Sequence, residues 1–210
     1  MKSLFIVFDG PEGAGKSTQA KLLFDHLKSK NYDVVLTREP GGSKVSEAIR
    51  KIILSPSYKI TPLTELLLYE AARAQHIEEI IIPSLKKNKI VICDRFYYST
   101  IVYQGYARGL SINFIEKLNK LILGKLEPNI VFLLDVSAEE GLKRVKAVKK
   151  VFDRLENENI NFHKKIRKGY LELFKNKKNF YIITTQNKLP QQVHLEILKI
   201  LRNKFRYLNI

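Results

Sequence analysis

A glycine-rich run near the start of the chain has the residue types that hold phosphate groups. Residues 10 to 18 read GPEGAGKST and match the pattern G-x-x-x-x-G-K-[ST] at every fixed position. Backbone N–H groups of such a loop (hereafter the P-loop), together with the start of the following helix, surround an anionic phosphate. Lys16 is expected to reach the outer phosphates, and the Ser17 hydroxyl to bind Mg2+. The residues predicted to bind a nucleoside triphosphate are Gly10, Gly13, Ala14, Gly15, Lys16, Ser17 and Thr18.

Polar residues also follow the other apolar runs of the chain. They include Asp9, Arg38, Asp135 and the pair Asp94 and Arg95. Ligands of parallel α/β sheets bind beyond the carboxyl ends of the strands, so these side chains are expected to share one edge. Asp94 is a candidate to organise Mg2+ beside the P-loop. Arg95 can grip a phosphate with two parallel hydrogen bonds, although a surface salt bridge is the alternative.

The elements that must position these residues alternate between apolar runs and segments of helical periodicity. That alternation predicts an α/β fold, and runs that are apolar on both faces favour a parallel sheet covered by helices. An apolar run precedes the P-loop and a helical segment follows it, which favours a phosphate site over an ordinary glycine-rich turn. Pro62 is expected to start a helix and Pro83 to bend or end one. The predicted strands are 3–9, 33–37, 89–93, 130–135 and 180–184, and the predicted helices are 16–30, 43–54, 63–82, 111–124, 138–147, 158–176 and 189–205.

Length and composition predict a single domain spanning residues 1–210, with 45% hydrophobic residues to supply a core. The formal net charge is +16. The lysines are dispersed along the whole chain, and no basic run alternates with aromatic residues. We therefore interpret the charge as a lysine-rich surface and expect no nucleic-acid partner. No apolar stretch approaches the roughly 20 residues of a membrane span. No signal-peptide pattern is present either, so we expect a cytoplasmic protein without a membrane partner.

Five motifs together resemble those of the thymidylate kinase family, whose enzymes phosphorylate dTMP to dTDP with ATP and Mg2+. In chain order they are GPEGAGKSTQ, REPGG, LLLYEAARAQH, DRFYYST with YQG shortly after it, and DRLE near residue 153. The resemblance extends from about residue 4 to residue 186. It implies a three-layer P-loop kinase fold, with a five-stranded parallel sheet flanked by helices, a mobile lid and a homodimer. It also implies that Glu39-Pro40 is a candidate cis peptide, and that ATP and dTMP are the partners.

The resemblance also implies a role for individual residues. Glu12 would bind the sugar 3′-hydroxyl, Arg95 the dTMP phosphate, and Arg144 would lie along the adenine. Tyr103 would lie beneath the deoxyribose, and Tyr69 would stack on thymine where the family has a phenylalanine. Arg73 would donate to a thymine carbonyl. The predicted dTMP-binding residues are Glu12, Arg38, Tyr69, Arg73, Arg95, Thr100, Tyr103 and Gln104; the predicted metal-binding residues are Ser17 and Asp94.

One P-loop position differs from that of some family members, and this difference predicts where the catalytic cation comes from. Some family members carry an arginine directly after the P-loop acid, but this chain has Gly13 there. Other members use a basic lid, and this chain has Lys146, Lys149 and Lys150 in a lid at about residues 145–153. We predict Lys149 as the cation, with Arg154 the next residue to examine. The alternative is that these lysines only solvate a helix end. The predicted catalytic residues are therefore Glu12, Lys16, Arg95 and Lys149.

Two other functions are compatible with the P-loop. One is a P-loop kinase that acts on a deoxynucleoside or on another monophosphate. The other is a P-loop ATPase that binds DNA or protein and has no small acceptor. The second would need a sensor-like polar residue and hydrolysis stimulated by a polymer, and the sequence visibly offers no such residue.

Overall fold

Five parallel strands form one sheet in the computed structural model, which describes residues 3–149, 151–175 and 177–210. The strand order is β2-β3-β1-β4-β5, so the P-loop strand β1 lies at the centre. The strands are β1 (Leu4–Asp9), β2 (Val34–Arg38), β3 (Ile90–Asp94), β4 (Ile130–Asp135) and β5 (Phe180–Thr184). The α-helices are α1 (Lys16–Ser29), α2 (Lys44–Leu54), α3 (Pro62–His76), α4 (Ile82–Lys86), α5 (Tyr98–Thr100), α6 (Ile112–Leu123), α7 (Ala138–Val148), α8 (Ile160–Phe174) and α9 (Pro190–Lys204).

Side chains of each strand alternate between two apolar cores, one on either face of the sheet. From β1, Leu4, Ile6 and Phe8 pack with apolar residues of α1 and α9. Phe5 and Val7 point to the opposite face and pack with residues of α3, α6 and α8. All six residues of β1 are buried, as a strand covered on both faces requires. The predicted fold, a parallel sheet between two helical layers, is confirmed.

The predicted helix over residues 63–82 begins and ends differently in the structure. Pro62 occupies the first turn, where a proline loses no helical hydrogen bond, and the Thr61 side chain caps the helix. Pro83 does not end the helix. A π-helical segment, π1 (Ile77–Ile81), connects α3 to α4, which continues to Lys86. The wider turn lets the helix pass a residue that lacks a backbone N–H.

A helical segment between β3 and α6 was not predicted from the sequence. Helix α5 continues into a second π-helical segment, π2 (Ile101–Ala107), and every residue from Tyr98 to Gly105 is buried. Helical periodicity is visible only when a polar face alternates with an apolar one. This segment has no exposed polar face, so its sequence shows no helical period.

The parallel register places the polar strand ends at one edge of the sheet. Asp94 pairs with Phe8 of β1 on one side and with Arg38 of β2 on the other. Asp9 follows Phe8, and Asp135 ends β4 on the far side of β1. Within the part of the chain that is described, no helix is long and apolar enough to cross a membrane.

Candidate active site

A cavity of about 550 Å³ opens at the carboxyl edge of the sheet. It is continuous from the P-loop to the polar side chains of π2, and from there to the end of α7. All but two of the predicted site residues line it; the exceptions are Gly10 and Arg73. Motifs that are distant in the chain therefore identify about half of the residues that line the cavity.

Glycines with positive φ shape the backbone of the P-loop. Gly15, which immediately precedes α1, has φ 88°. Gly13 has φ 68° and lies against α7, where a β-carbon at position 13 would come within 2.0 Å of the Gly141 carbonyl oxygen. A basic side chain at position 13 has no room in this chain.

Lys16 is buried in the P-loop, where its Nζ donates to the Pro11 carbonyl oxygen at 2.6 Å. Burial and the nearby Arg95 cation lower the pKa of Lys16 to about 8. An anion in the cavity would offset both effects. The lysine is thus placed to bind a phosphate group.

Ser17 and Asp94 meet at the predicted metal site. The Ser17 hydroxyl donates to Asp94 Oδ2, and both residues line the cavity. Asp94 Oδ1 is buried and has no hydrogen-bond partner among the described residues. Mg2+ prefers carboxylate and hydroxyl oxygens and usually retains waters and substrate phosphates as its remaining ligands. The donor set therefore fits Mg2+. No group of three or more His, Cys, Asp and Glu side chains within the described ranges forms a further metal site.

Arg95 and Glu12 form an ion pair at the centre of the cavity. Arg95 Nη2 lies 2.8 Å from Glu12 Oε1, and Arg95 Nη1 donates to the Gly10 carbonyl oxygen at 2.9 Å. The Tyr103 hydroxyl donates to the same Glu12 oxygen at 2.8 Å. Burial alone would raise the pKa of Glu12, but the charges of Arg95 and Lys16 outweigh it and lower that pKa to about 2. Glu12 is therefore an acceptor held inside an otherwise cationic loop.

Three residues behind Arg95 position it, and the sequence did not single out two of them. Asp9 Oδ1 accepts hydrogen bonds from Ser99 Oγ at 2.8 Å and from the Tyr170 hydroxyl at 2.6 Å. Arg95 Nη1 lies 3.9 Å from the same oxygen. Burial raises the pKa of Asp9, although Arg95 opposes that effect. Tyr170 carries no sequence signal, because a tyrosine on an amphipathic helix such as α8 is ordinarily a core residue. Ser99 lies inside the DRFYYST motif, but the motif gave it no role of its own.

The residues expected to face the base come from α3 and from the segment α5–π2. Tyr69, Thr100, Tyr103 and Gln104 all line the cavity. The Thr100 hydroxyl donates to the Tyr97 carbonyl oxygen at 2.8 Å. The side chain of Gln104 is buried and its Nε2 is committed to a neighbouring carboxylate. The segment α5–π2, which was not predicted from the sequence, thus carries most of the residues expected to face the base.

Arg73 lies behind the cavity wall. Its Nε donates to Glu39 Oε2 at 2.8 Å, and its Nη1 contacts Glu70, Thr100 and Asn119. Its Nη2 has no hydrogen bond among the described residues. Glu39 also accepts from His76, and the peptide between Glu39 and Pro40 is cis, as predicted. The structure therefore holds Arg73 rigidly but places it one layer deeper than the other predicted dTMP-binding residues.

The donor end of the cavity is formed by α7. Arg144 donates to the Thr185 carbonyl oxygen at 2.9 Å and pairs with Glu140 at 2.9 Å. Residues 145–148 of the predicted lid form the last turn of α7, so the non-helical segment begins at Lys149. Lys149 Nζ lies 2.5 Å from Glu156 Oε1 in the DRLE motif. Lys150 lies outside the described residues.

Three further polar candidates are engaged in ion pairs. Arg38 lines the cavity but pairs with both carboxylate oxygens of Glu47 at 2.9 Å. Asp135 binds Arg167 through two hydrogen bonds of 2.8 and 2.9 Å and does not line the cavity. Arg154 does not line the cavity and pairs with Glu65 at 2.5 Å.

Comparisons with known proteins agree with this geometry. The family model described as thymidylate kinase matches residues 8–197. The thymidylate kinase of Chlamydia abortus is 48% identical over 86% of this chain and 86% of its own length. That of Trichodesmium erythraeum is 46% identical over 93% and 95%, respectively. The crystal structure of thymidylate kinase from Ehrlichia chaffeensis superposes with a TM-score of 0.78 at 36% identity, covering 96% of this chain and 100% of that one.

Proposed function

We propose roles for the residues of this site from the premise that the chain belongs to the thymidylate kinase family. The chain phosphorylates dTMP to dTDP and uses ATP as the phosphoryl donor. One observation supports the residue assignments above all others. A single cavity connects the P-loop with Arg95 and the polar wall of π2, so two nucleotides can meet inside it.

On the acceptor side, Arg95 binds the dTMP phosphate. Its Nη1 and Nη2 are engaged with Gly10 and Glu12, whereas its Nε makes no hydrogen bond within the described ranges. Arg95 thus keeps a donor for the phosphate while the protein fixes its orientation. Glu12 accepts from the sugar 3′-hydroxyl, and the Tyr103 ring lies beneath the deoxyribose. The Tyr103 ring lies 5.2 Å from the guanidinium of Arg95, which also keeps the two side chains together.

The base is held by Tyr69, Arg73, Thr100 and Gln104. Tyr69 stacks on thymine, and Thr100 and Gln104 face its polar edge. Arg73 Nη2, which has no hydrogen bond among the described residues, is the donor we assign to a thymine carbonyl. Because Arg73 does not line the cavity, this contact requires the wall beside Thr100 to open when the base binds. Arg38 completes the acceptor side after it exchanges its contact with Glu47 for the substrate.

On the donor side, the P-loop amides and Lys16 bind the phosphates of ATP, and Arg144 lies along the adenine. Ser17 and Asp94 hold Mg2+, which neutralises phosphate charge when bound. The remaining work of the protein is positioning and electrostatic stabilisation, because the dTMP phosphate oxygen is already an adequate nucleophile. That oxygen forms a bond to the γ-phosphorus, the bond to the β-phosphate oxygen breaks, and ADP leaves.

A cation from the lid completes the site. Lys149 lies at the cavity wall and is the residue that we assign to the γ-phosphate. In the structure it is paired with Glu156 and lies near Asp153, so it must exchange these partners for the phosphate. Closing of the lid over both nucleotides provides that exchange.

The chain functions as a homodimer through one apolar face. Exposed apolar residues recur at helical spacing on α2, α3 and α6, and α3 packs against both of the other helices. The exposed side chains are Val45, Ile52, Leu63, Leu67, Phe114 and Leu121. Exposed apolar patches of this kind mark surfaces that associate with another protein.

A panel of acceptors tests the assigned roles. With ATP and Mg2+, we expect dTMP to react far better than its ribose counterpart, 5-methyluridine monophosphate. The reason is that Tyr103 closes the space that a 2′-hydroxyl needs. We expect dTMP to react better than dCMP, since cytosine presents an amino donor where Arg73 also donates. Efficient turnover of CMP with poor turnover of dTMP would contradict these roles. Initial rates of ADP formation provide the measurement.

A further inference from the structure

A buried carboxylate, Glu65 on α3, joins three parts of the chain behind the cavity wall. Its side chain is fully buried. Glu65 Oε1 accepts from Gln104 Nε2 at 2.6 Å, and both oxygens lie 3.3 Å from Arg108, which follows π2. Glu65 Oε2 also pairs with Arg154 of the DRLE motif at 2.5 Å. None of these contacts involves a residue assigned to the phosphates.

These contacts determine how the Gln104 amide is oriented. Arginine is only a donor, so both oxygens of Glu65 must act as acceptors toward Arg108 and Arg154. The Gln104 atom that lies 2.6 Å from Glu65 Oε1 must therefore be a donor, which makes it Nε2. The amide cannot be reversed without placing two acceptors in contact.

The other end of the same amide has no partner. Gln104 Oε1 is buried and makes no hydrogen bond within the described part of the chain. Gln104 nevertheless lines the cavity on the side expected to face the base. A buried acceptor without a partner is costly, and a ligand that supplies a donor there removes the cost.

We propose that Glu65 is a positioning residue that fixes Gln104 with its carbonyl oxygen toward the pyrimidine, so that the site selects a base with a hydrogen on N3. Thymine carries that hydrogen, whereas cytosine presents an acceptor at the same atom. The inference rests on the proposed role of Gln104 beside the base. It adds that the selection is imposed by a carboxylate that does not itself touch the substrate.

The test compares dTMP with its 3-deaza analogue, in which a C–H group replaces N3–H and the C4 oxygen becomes a hydroxyl. The second change is the same for every protein variant, so the readout is how the ratio of dTMP to analogue differs between variants. We expect the unaltered protein to favour dTMP by about 10- to 100-fold in kcat/KM, the effect of leaving one buried acceptor unpaired. Gln104→Met should reduce this preference to a few-fold. Glu65→Gln should do the same, because Arg108 and Arg154 compete for the one remaining oxygen and the new NH2 group turns toward Gln104.

Three further variants make the result decisive. Glu65→Asp keeps the charge that the arginines need but withdraws the carboxylate from Gln104, so the preference should fall even if Glu65→Gln folds poorly. The double variant Glu65→Gln/Gln104→Met should show no loss beyond that of Gln104→Met. Arg108→Met is the matched control, because it removes a partner of Glu65 that does not touch Gln104, and it should keep the full preference.

The outcomes separate the inference from the proposed function. If Gln104→Met keeps the preference for dTMP, Gln104 does not face the base, and both the assigned role and the inference are wrong. If Gln104→Met loses the preference while Glu65→Gln and Glu65→Asp keep it, only the inference is wrong. A purely structural role of Glu65 would lower kcat/KM equally for both acceptors and leave their ratio unchanged.

Discussion

At the scale of single residues, replacement of Lys16 tests the phosphate site. We expect Lys16→Met to reduce the turnover number by about 10²–10³-fold, the usual effect of removing one preorganised donor from a developing charge. The fold should remain, since the methionine fills the same buried space. Lys21→Met is the matched control, because Lys21 lies on the same helix but is exposed and paired with Asp25. Near-normal turnover of Lys16→Met would contradict the P-loop assignment.

Glu12 couples the stability of the protein to pH. Its pKa is about 2 in the folded protein against an ordinary value of 4.5. The ionised form is thus favoured by folding, so its contribution is complete above about pH 4.5 and is lost as the pH falls toward 2. This contribution is on the order of 3 kcal/mol at most.

Replacement of Glu12 by glutamine tests that dependence. We expect Glu12→Gln to lower the free energy of unfolding at pH 7, and we expect the difference from the unaltered protein to shrink at pH 3. Urea unfolding at both pH values provides the measurement. Glu116→Gln, at an exposed position on α6, is the control and should change little at either pH. A difference that does not depend on pH would show that the ion pair with Arg95 does not hold the charge of Glu12.

At the scale of residues, motifs in the sequence locate most of the side chains proposed for the site, whereas a side chain that reaches the site only through the fold gives no such signal. Ser17 and Asp94 are 77 positions apart but form a hydrogen bond, because Asp94 ends β3 and Ser17 lies just beyond the neighbouring parallel strand β1. Tyr170 also reaches Asp9, yet it comes from α8, on a segment with no site motif. Only the chain topology brings that hydroxyl to the site, and the helical periodicity of α8 does not predict the contact.

At the scale of elements, the segment after α7 decides whether the lid supplies the catalytic cation. We expect simultaneous replacement of Lys146, Lys149 and Lys150 by alanine to reduce turnover by about 10³-fold, the lower part of the range for a cation of this kind. Binding of dTMP should change little, because its contacts come from the sheet side. Initial rates and dTMP titration by calorimetry measure the two effects.

A charge-matched variant controls for the loss of three positive charges. Lys143 on α7 and Lys164 and Lys168 on α8 are exposed, lie outside the proposed lid and do not line the cavity, so their replacement should leave turnover within a few-fold of normal. The control replaces Lys143, Lys164 and Lys168 by alanine. If the lid variant behaves like this control, the lid is not the source of the cation, and Arg154 becomes the next candidate after release from Glu65.

Secondary structure was predictable from the sequence where burial of an element leaves a visible pattern of apolar and polar residues. All five strands were placed within one residue at each end, because each is a short apolar run between polar segments. The segment Tyr98–Ala107 was missed because burial on all sides removes helical periodicity. That failure matters for function, since this segment carries Thr100, Tyr103 and Gln104.

At the scale of the whole molecule, the apolar face of α2, α3 and α6 predicts association. We expect Leu63→Glu or Leu121→Glu to convert a dimer to a monomer, because a carboxylate at the centre of an apolar contact remains unpaired when buried. Light scattering coupled to size-exclusion chromatography measures the mass. Leu195→Glu is the control, since Leu195 is similarly exposed on α9, away from this face. A monomeric unaltered protein would contradict the proposed dimer.

The P-loop and α7 are in direct backbone contact. Gly13 and Gly141 touch through their backbones, and a β-carbon at position 141 would lie 2.2 Å from the Glu12 carbonyl oxygen. The contact therefore joins α7 to the P-loop near the start of the helix, while the other end of α7 leads into the segment proposed as the lid. Seven residues separate Gly141 from Val148, a distance of about 10 Å along the helix axis. A tilt of ~10° about this contact would displace the end of α7 by about 2 Å, so we expect adjustments of the P-loop around ATP to move the proposed lid.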